Sequence, residues 1–152
     1  MSVHVGDTAP DFKLSNQFGE EISLAGLRGK PVVLVFYPFS FSGICTGELC
    51  ELRDNIAMFN TAGVELLAIS IDSKYVQAKF AEQEGYSFNV LADFWPHGAV
   101  AEAYGVFLAD KGFATRATFV IDSEGVVAAK MVNGPGEARS LVEYKKALEL
   151  VL

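Results

Sequence analysis

Histidine and cysteine are scarce in this sequence, with two of each among 152 residues. The histidines, His4 and His97, lie far from both cysteines in sequence, so a four-ligand zinc site is not expected. Each histidine reads as a surface or satisfied core residue. Basic residues are outnumbered, and the net charge of −7 offers no cationic surface to a phosphate backbone. No nucleic-acid partner is expected. The first residues, Met1 to Asp7, lack the basic and apolar regions of a secretory signal. The longest apolar run, Pro31 to Phe39, falls far short of the ~20 residues that span a bilayer. These absences lead us to expect a soluble cytoplasmic chain with no membrane partner. In that compartment two thiols serve catalysis, redox sensing or nothing more readily than a permanent staple.

What is present suits one ordinary globular domain over residues 1–152, since 51% of the residues are apolar and 20% charged. Phe12 and Leu14 alternate with polar neighbours, Gln17-Phe18-Gly19 turns, and Ile22 and Leu24 resume the alternation. This predicts a hairpin capping one edge of a sheet. Val32 to Tyr37 is apolar without alternation, as in a central strand covered on both faces, and Pro38 ends it. From Ser42 to about Ala62, Cys45, Leu49, Leu52, Ile56 and Phe59 recur at spacings of three and four and predict one long helix closed by Gly63.

Val64 to Ile71 then reads as a second buried strand, which makes the passage a right-handed parallel crossover. Asp72 or Ser73 caps a helix carrying Val76 and Phe80 inward to Gly85. A short strand around Phe88 and Val90, an aromatic loop from Asp93 to Gly98 and a short helix from Ala99 to Tyr104 follow. Strands near 115–121 and 126–131 should pair antiparallel, and after Asn133-Gly134-Pro135-Gly136 a closing helix carries Ala138, Leu141, Val142, Leu148 and Leu152. The order implies an α/β fold: a central mixed β-sheet with helices on both faces and an N-terminal β-hairpin.

Reactive groups in open α/β sheets sit beyond the carboxyl ends of the strands, where Cys45 falls. With Ser42 as N-cap, Cys45 is the third helical residue, where unpaired backbone N–H groups and the helix dipole favour a thiolate. Its other reading is a small core residue.

Pro38, Ser42 and Cys45 carry the spacing proline, three residues, threonine or serine, two residues, cysteine. This resembles the peroxiredoxin signature, with Glu48 where that family often has an acidic residue. Phe94-Trp95-Pro96 and Arg116 resemble the aromatic loop and strand arginine of such sites. The likeness runs from Gly6 to the final helix, and Asp93 to Val100 looks most like the AhpE-type branch, which is usually a one-cysteine enzyme. The resemblance implies a thioredoxin-like fold, no cofactor or metal, and a thiol peroxidase that reduces hydrogen peroxide and organic hydroperoxides through a Cys45 sulfenic acid. It also implies a homodimer or higher homo-oligomer, and a thiol reductant such as thioredoxin, a mycoredoxin or a low-molecular-weight thiol.

A free thiol of pKa ~8.5 is about 3% ionised at pH 7, and lowering the pKa to ~6 raises that to about 90%. The accompanying loss of nucleophilicity cancels roughly tenfold of this roughly 30-fold gain. Further acceleration must come from donors that align the peroxide and stabilise the departing oxygen. Ser42, the Cys45 N–H and the forked guanidinium of Arg116 are the candidates. Pro38 is expected to shape and shield the thiolate. Phe39, Phe41 and Trp95 are expected as pocket wall, Phe94 and Trp95 having core or subunit packing as their other reading. Glu48, one turn from Cys45, is placed with this pocket as an orienter of Arg116 or another arginine, or as a solvated helix charge.

Cys50 departs from the one-cysteine pattern and resembles the bacterioferritin-comigratory branch, in which a second cysteine of the same helix resolves the sulfenic acid. Residues five apart in a helix have Cα atoms roughly 8.5 Å apart, beyond the ~6.8 Å that a disulfide tolerates. Resolution by Cys50 therefore requires local unwinding, which Gly43 and Gly47 ease. The alternative is a bystander thiol. A thiol redox sensor and a thioredoxin-like disulfide oxidoreductase are the competing functions. The second lacks its usual Cys-x-x-Cys pair here.

Overall fold

A computed structural model describes residues 3–133 and 139–152, with backbone but not side chains for Ile44, Cys45 and Thr46. In chain order the elements are β1 (Lys13–Ser15), β2 (Glu21–Ser23), β3 (Val32–Phe36), α1 (Gly43–Asp54), α2 (Ile56–Thr61), β4 (Glu65–Ser70), α3 (Lys74–Glu84) and β5 (Asn89–Ala92). They continue with α4 (Ala99–Ala103), β6 (Phe107–Leu108), β7 (Phe113–Ala114), β8 (Arg116–Ile121), β9 (Val127–Asn133) and α5 (Leu141–Leu148).

Seven strands form one sheet in the order β2-β1-β5-β4-β3-β8-β9. β3, β4 and β5 run parallel, whereas β1 and β8 pair antiparallel to β5 and β3, so the sheet is mixed. The β1–β2 hairpin lies at one edge, and β8 and β9 pair antiparallel at the other.

All five residues of β3 are buried because successive side chains feed two cores. Val32, Leu34 and Phe36 face the cluster that includes Tyr104 beside α4. Val33, Val35 and Tyr37 face Leu49 and Leu52 of α1, Phe59 of α2, Phe80 of α3 and Tyr144 of α5. A strand flanked by helices on both sides has no solvent face to alternate toward.

Four local expectations are corrected. The long helix is two helices broken at Asn55, whose side-chain amide donates to the Glu51 carbonyl at 2.8 Å and draws the chain out of the helical ladder. On α3, Ser73 is the cap, Val76 is 36% exposed, and Gln77 takes the buried place beside Phe80 and Ala81. On α5, Tyr144, Ala147 and Leu148 face inward, while Val142 and Leu152 are exposed. Ala138 lies outside the described residues. A small β6–β7 hairpin forms where the sequence suggested no strand.

Candidate active site

The site begins where β3 stops. Tyr37 donates its N–H to Ile69 at 3.0 Å, one step past the strand, and buried Pro38, with no N–H to offer, ends the pairing. Phe41 then adopts φ +70°, a left-handed conformation uncommon for a bulky residue. Ser42 follows in extended conformation at the N-cap of α1. Its hydroxyl does not cap the helix but donates back to the Phe39 carbonyl at 3.1 Å, because the turn at Phe41 returns the chain toward that oxygen. Cys45 is the third residue of α1, with Gly43 the first. Its side chain lies outside the described residues, as does any contact of its thiol.

Arg116 arrives from the neighbouring strand. Phe36 stands opposite Ala117, so Arg116 falls one step further, level with Tyr37 and beside the loop that begins at Pro38. It is 2% exposed, and its guanidinium donates to Glu48 of α1 at 3.3 Å. Glu48 is thus no solvated helix charge. Its carboxylate also accepts from Arg139, through the backbone N–H at 2.5 Å, Nε at 2.9 Å and a further bond to Nη2. Arg139 donates in addition to the Thr118 hydroxyl at 3.0 Å, which sits 3.1 Å from the Tyr144 hydroxyl. Burial pushes the Tyr144 phenol up to about 12, so it remains protonated at neutral pH. The network ties α1 to β8 and to the segment entering α5.

The other expected site residues divide. Phe39 and Phe41 flank Ser40 and are partly exposed, with rings 4.9 Å from those of Phe113 and Phe80 respectively. Cys50 is half-buried on α1, its Sγ 3.4 Å from both a Glu84 carboxylate oxygen and the Tyr86 hydroxyl. Burial, and then the neighbouring Cys50, raise the Tyr86 phenol far above its usual value. Nearby, Arg53 donates to the Glu84 carbonyl at 2.5 Å, so this half of α1 is fastened to the end of α3.

Trp95 is not brought to this site. It stands 80% exposed over a groove of about 450 Å³ shared with Phe94, Tyr75, Lys74 and Lys13, whose lining includes none of Pro38, Phe39, Phe41, Ser42 or Arg116. The cause is the anchoring of its loop. Asp93 is buried and accepts the N–H groups of Val100 at 3.1 Å and Ala101 at 2.9 Å, while Gly98, at φ +68°, donates to the Asp93 carbonyl. A side chain at Gly98 would strike the Phe107 ring at 2.3 Å, so this left-handed turn admits only glycine.

Sequence reasoning missed Arg139 and Gln77. Arg139 follows a glycine- and proline-rich breaker and lies 91 residues from its carboxylate, so no local pattern marks it. Gln77 could have been found, because Gln77, Phe80 and Ala81 share the i, i+3, i+4 spacing of a buried face.

Comparison with known proteins gives consistent results. A family model described as AhpC/TSA family matches residues 5–130. The chain is 46% identical over 147 residues to alkyl hydroperoxide reductase E of Mycobacterium tuberculosis (strain H37Rv), covering 96% of each. It is 36% identical over 129 residues to peroxiredoxin Bcp of Escherichia coli (strain K12), covering 80% of this chain and 81% of that one. Among solved structures, AhpC of Enterococcus faecalis superposes with a TM-score of 0.89 at 29% identity, covering 98% and 92% of the two chains. Peroxidoxin BcpB of Mycobacterium tuberculosis gives 0.83 at 33% identity, covering 97% and 96%.

Proposed function

The chain belongs to the AhpC/TSA family of peroxiredoxins, and on that premise we propose that Cys45 is its peroxide-reacting residue. Its fold is thioredoxin-like, and it is a thiol-dependent peroxidase, an oxidoreductase that uses a peroxide and a thiol reductant. The Cys45 thiolate attacks one peroxide oxygen, an S–O bond forms as the O–O bond breaks, and sulfur loses two electrons. The departing oxygen takes a proton and leaves as water or an alcohol.

The observation that carries this reading is the meeting of Arg116 with Glu48 of the Cys45 helix, beside the loop of Pro38 and Ser42. The Glu48 carboxylate fixes the Arg116 fork, whose charge is permanent and suits the departing oxygen. Ser42 and the Cys45 N–H supply further donors, and Pro38 excludes water from one side. Phe39 and Phe41 give the mouth an apolar rim that accepts organic hydroperoxides as well as hydrogen peroxide.

Cys50 resolves the intermediate in this reading. Its thiol gives up its proton as the sulfur attacks the sulfenic sulfur, an S–S bond forms as the S–O bond breaks, and the hydroxyl leaves with a proton as water, after which a thioredoxin, a mycoredoxin or a low-molecular-weight thiol reduces the disulfide. Both cysteines sit in α1, so its first turns must open for this step. No described helix is long and apolar enough to cross a membrane. A cytoplasmic homodimer completes the proposal, with the exposed rings of Tyr75, Phe94 and Trp95 as apolar surface available for a subunit contact. Single-turnover oxidation of Cys50→Ser, in which the intermediate cannot be resolved within α1, with a sulfenic-acid trap tests the central step. Trap mass on the Cys45 peptide supports it, and full peroxide consumption with no mass on that peptide overturns it.

A further inference from the structure

Behind the Pro38–Ser42 loop lies a closed ring of hydrogen bonds, buried at Gln77 and part-buried at Asp72, whose members do not touch the reacting atoms. The Ser40 hydroxyl donates to Gln77 Oε1 at 2.6 Å, and Gln77 Nε2 donates to the Ser70 hydroxyl at 2.8 Å. The Ser70 hydroxyl donates to Asp72 Oδ2 at 2.6 Å, and that same oxygen accepts the backbone N–H of Ser40 at 2.8 Å. The ring therefore starts and ends on Ser40. Gln77 is fixed further by the Leu91 carbonyl at 3.1 Å and the Tyr37 hydroxyl at 3.2 Å, and it is fully buried. Burial raises the Tyr37 phenol far above its usual value, so it remains protonated and donates to Gln77 from beside the ring.

Ser40 is held at its backbone and its side chain immediately before the left-handed Phe41, and Ser42 follows as the N-cap of α1. A bulky residue keeps a sparsely populated backbone conformation only where its surroundings over-determine it. The ring supplies that constraint on one side of Phe41, and the Phe41 contact with Phe80 of α3 supplies it on the other. We infer that Gln77 and Asp72 are positioning residues for the peroxidase reaction: by clamping Ser40 they set the backbone of Phe41, and so the place of the Ser42 hydroxyl and the first turn of the Cys45 helix. This inference rests on the assignment of Cys45 and Ser42 above. It predicts a selective defect, because a thiolate can react with a simple electrophile without aligned donors, whereas peroxide cleavage needs them.

The test compares full-length wild type, Gln77→Met and Asp72→Asn by the rate of peroxide oxidation and by the rate of iodoacetamide alkylation read on the Cys45 peptide. Gln77→Met should slow peroxide oxidation about 10- to 100-fold, the range that a misplacement on the order of 1 Å produces, with alkylation little changed. Asp72→Asn, which removes the charge from a half-buried acceptor of two of these bonds, should show the same split to a smaller degree. Peroxide rates equal to wild type in both variants overturn the inference, as does an equal fall in peroxide and alkylation rates. A Cys45→Ser control separates the two levels. If it is inactive while the two variants react normally, only the positioning role is lost; if it still reduces peroxide at the wild-type rate, the site assignment itself falls, and this inference with it.

Discussion

Glu48 on α1 and Arg116 on β8, separated by 68 residues in sequence, meet at 3.3 Å with both side chains only 2% exposed. The pairing joins the helix that carries Cys45 to the strand that carries its proposed partner, and Arg139 makes a second buried ion pair with the same carboxylate.

Replacing Glu48 with Gln should therefore affect stability and rate together. Removing one member of a buried ion pair costs about 3–5 kcal/mol, because charges remain without their counter-ion. Urea unfolding of Glu48→Gln is expected to show a loss in that range, and peroxide oxidation should slow as Arg116 loses its orienter. A midpoint equal to wild type would contradict the buried pairing.

Arg116→Lys separates charge from geometry. The ammonium keeps the positive charge but not the planar fork that reaches Glu48 and the departing oxygen together. Loss of one such donor typically costs about 100- to 1,000-fold in rate, and the lysine variant is expected to lose most of that in stopped-flow oxidation. Rates close to wild type would remove the fork from the chemistry.

Asp93 gives a pH signature. Burial raises its carboxyl above the ordinary value, partly offset by the N–H groups of Ala101 and Val100 and by His97. A raised carboxyl binds its proton more tightly in the folded chain, so its contribution to stability is greatest below the unfolded pKa and declines as pH rises through the folded one. Asp93→Asn cannot titrate and keeps one acceptor oxygen for two N–H groups, a loss of about 1 kcal/mol. The stability advantage of wild type over Asp93→Asn should shrink as pH rises across the carboxyl range. An advantage that grows with pH would contradict the assigned direction.

Cys50 is tested by intact mass after one equivalent of peroxide. Loss of two hydrogens within the monomer is expected for wild type, and a trapped sulfenic acid for Cys50→Ala. A sulfenic acid that persists in wild type would make Cys50 a bystander held by Glu84 and Tyr86.

The strands were the most legible part of the fold in the sequence. β3 and β4 declare themselves as apolar runs without alternation, and the parallel sheet with helices on both faces follows from that burial. Where side-chain hydrogen bonds compete with periodicity, the pattern misleads. Asn55 breaks a helix whose apolar spacing continues through it, and Gln77 is buried because four polar partners converge on it. In the candidate site, Pro38, Ser42 and Arg116 were named from the family resemblance, and the pairing of β8 with β3 sets Arg116 level with Tyr37, beside the Pro38 loop. Arg139 and the outward course of Trp95 were not, since one depends on a contact across 91 residues and the other on a loop closed by Asp93 and Gly98.

The central claim, that Cys45 carries the reaction, is tested most directly by peroxide consumption over many turnovers in the presence of a thiol reductant, with wild type, Cys45→Ser and Cys50→Ser side by side. Cys45→Ser should fall to the uncatalysed background, while Cys50→Ser keeps its first oxidation and loses turnover only to the extent that its reductant depends on the disulfide. Wild-type turnover by Cys45→Ser would contradict the account.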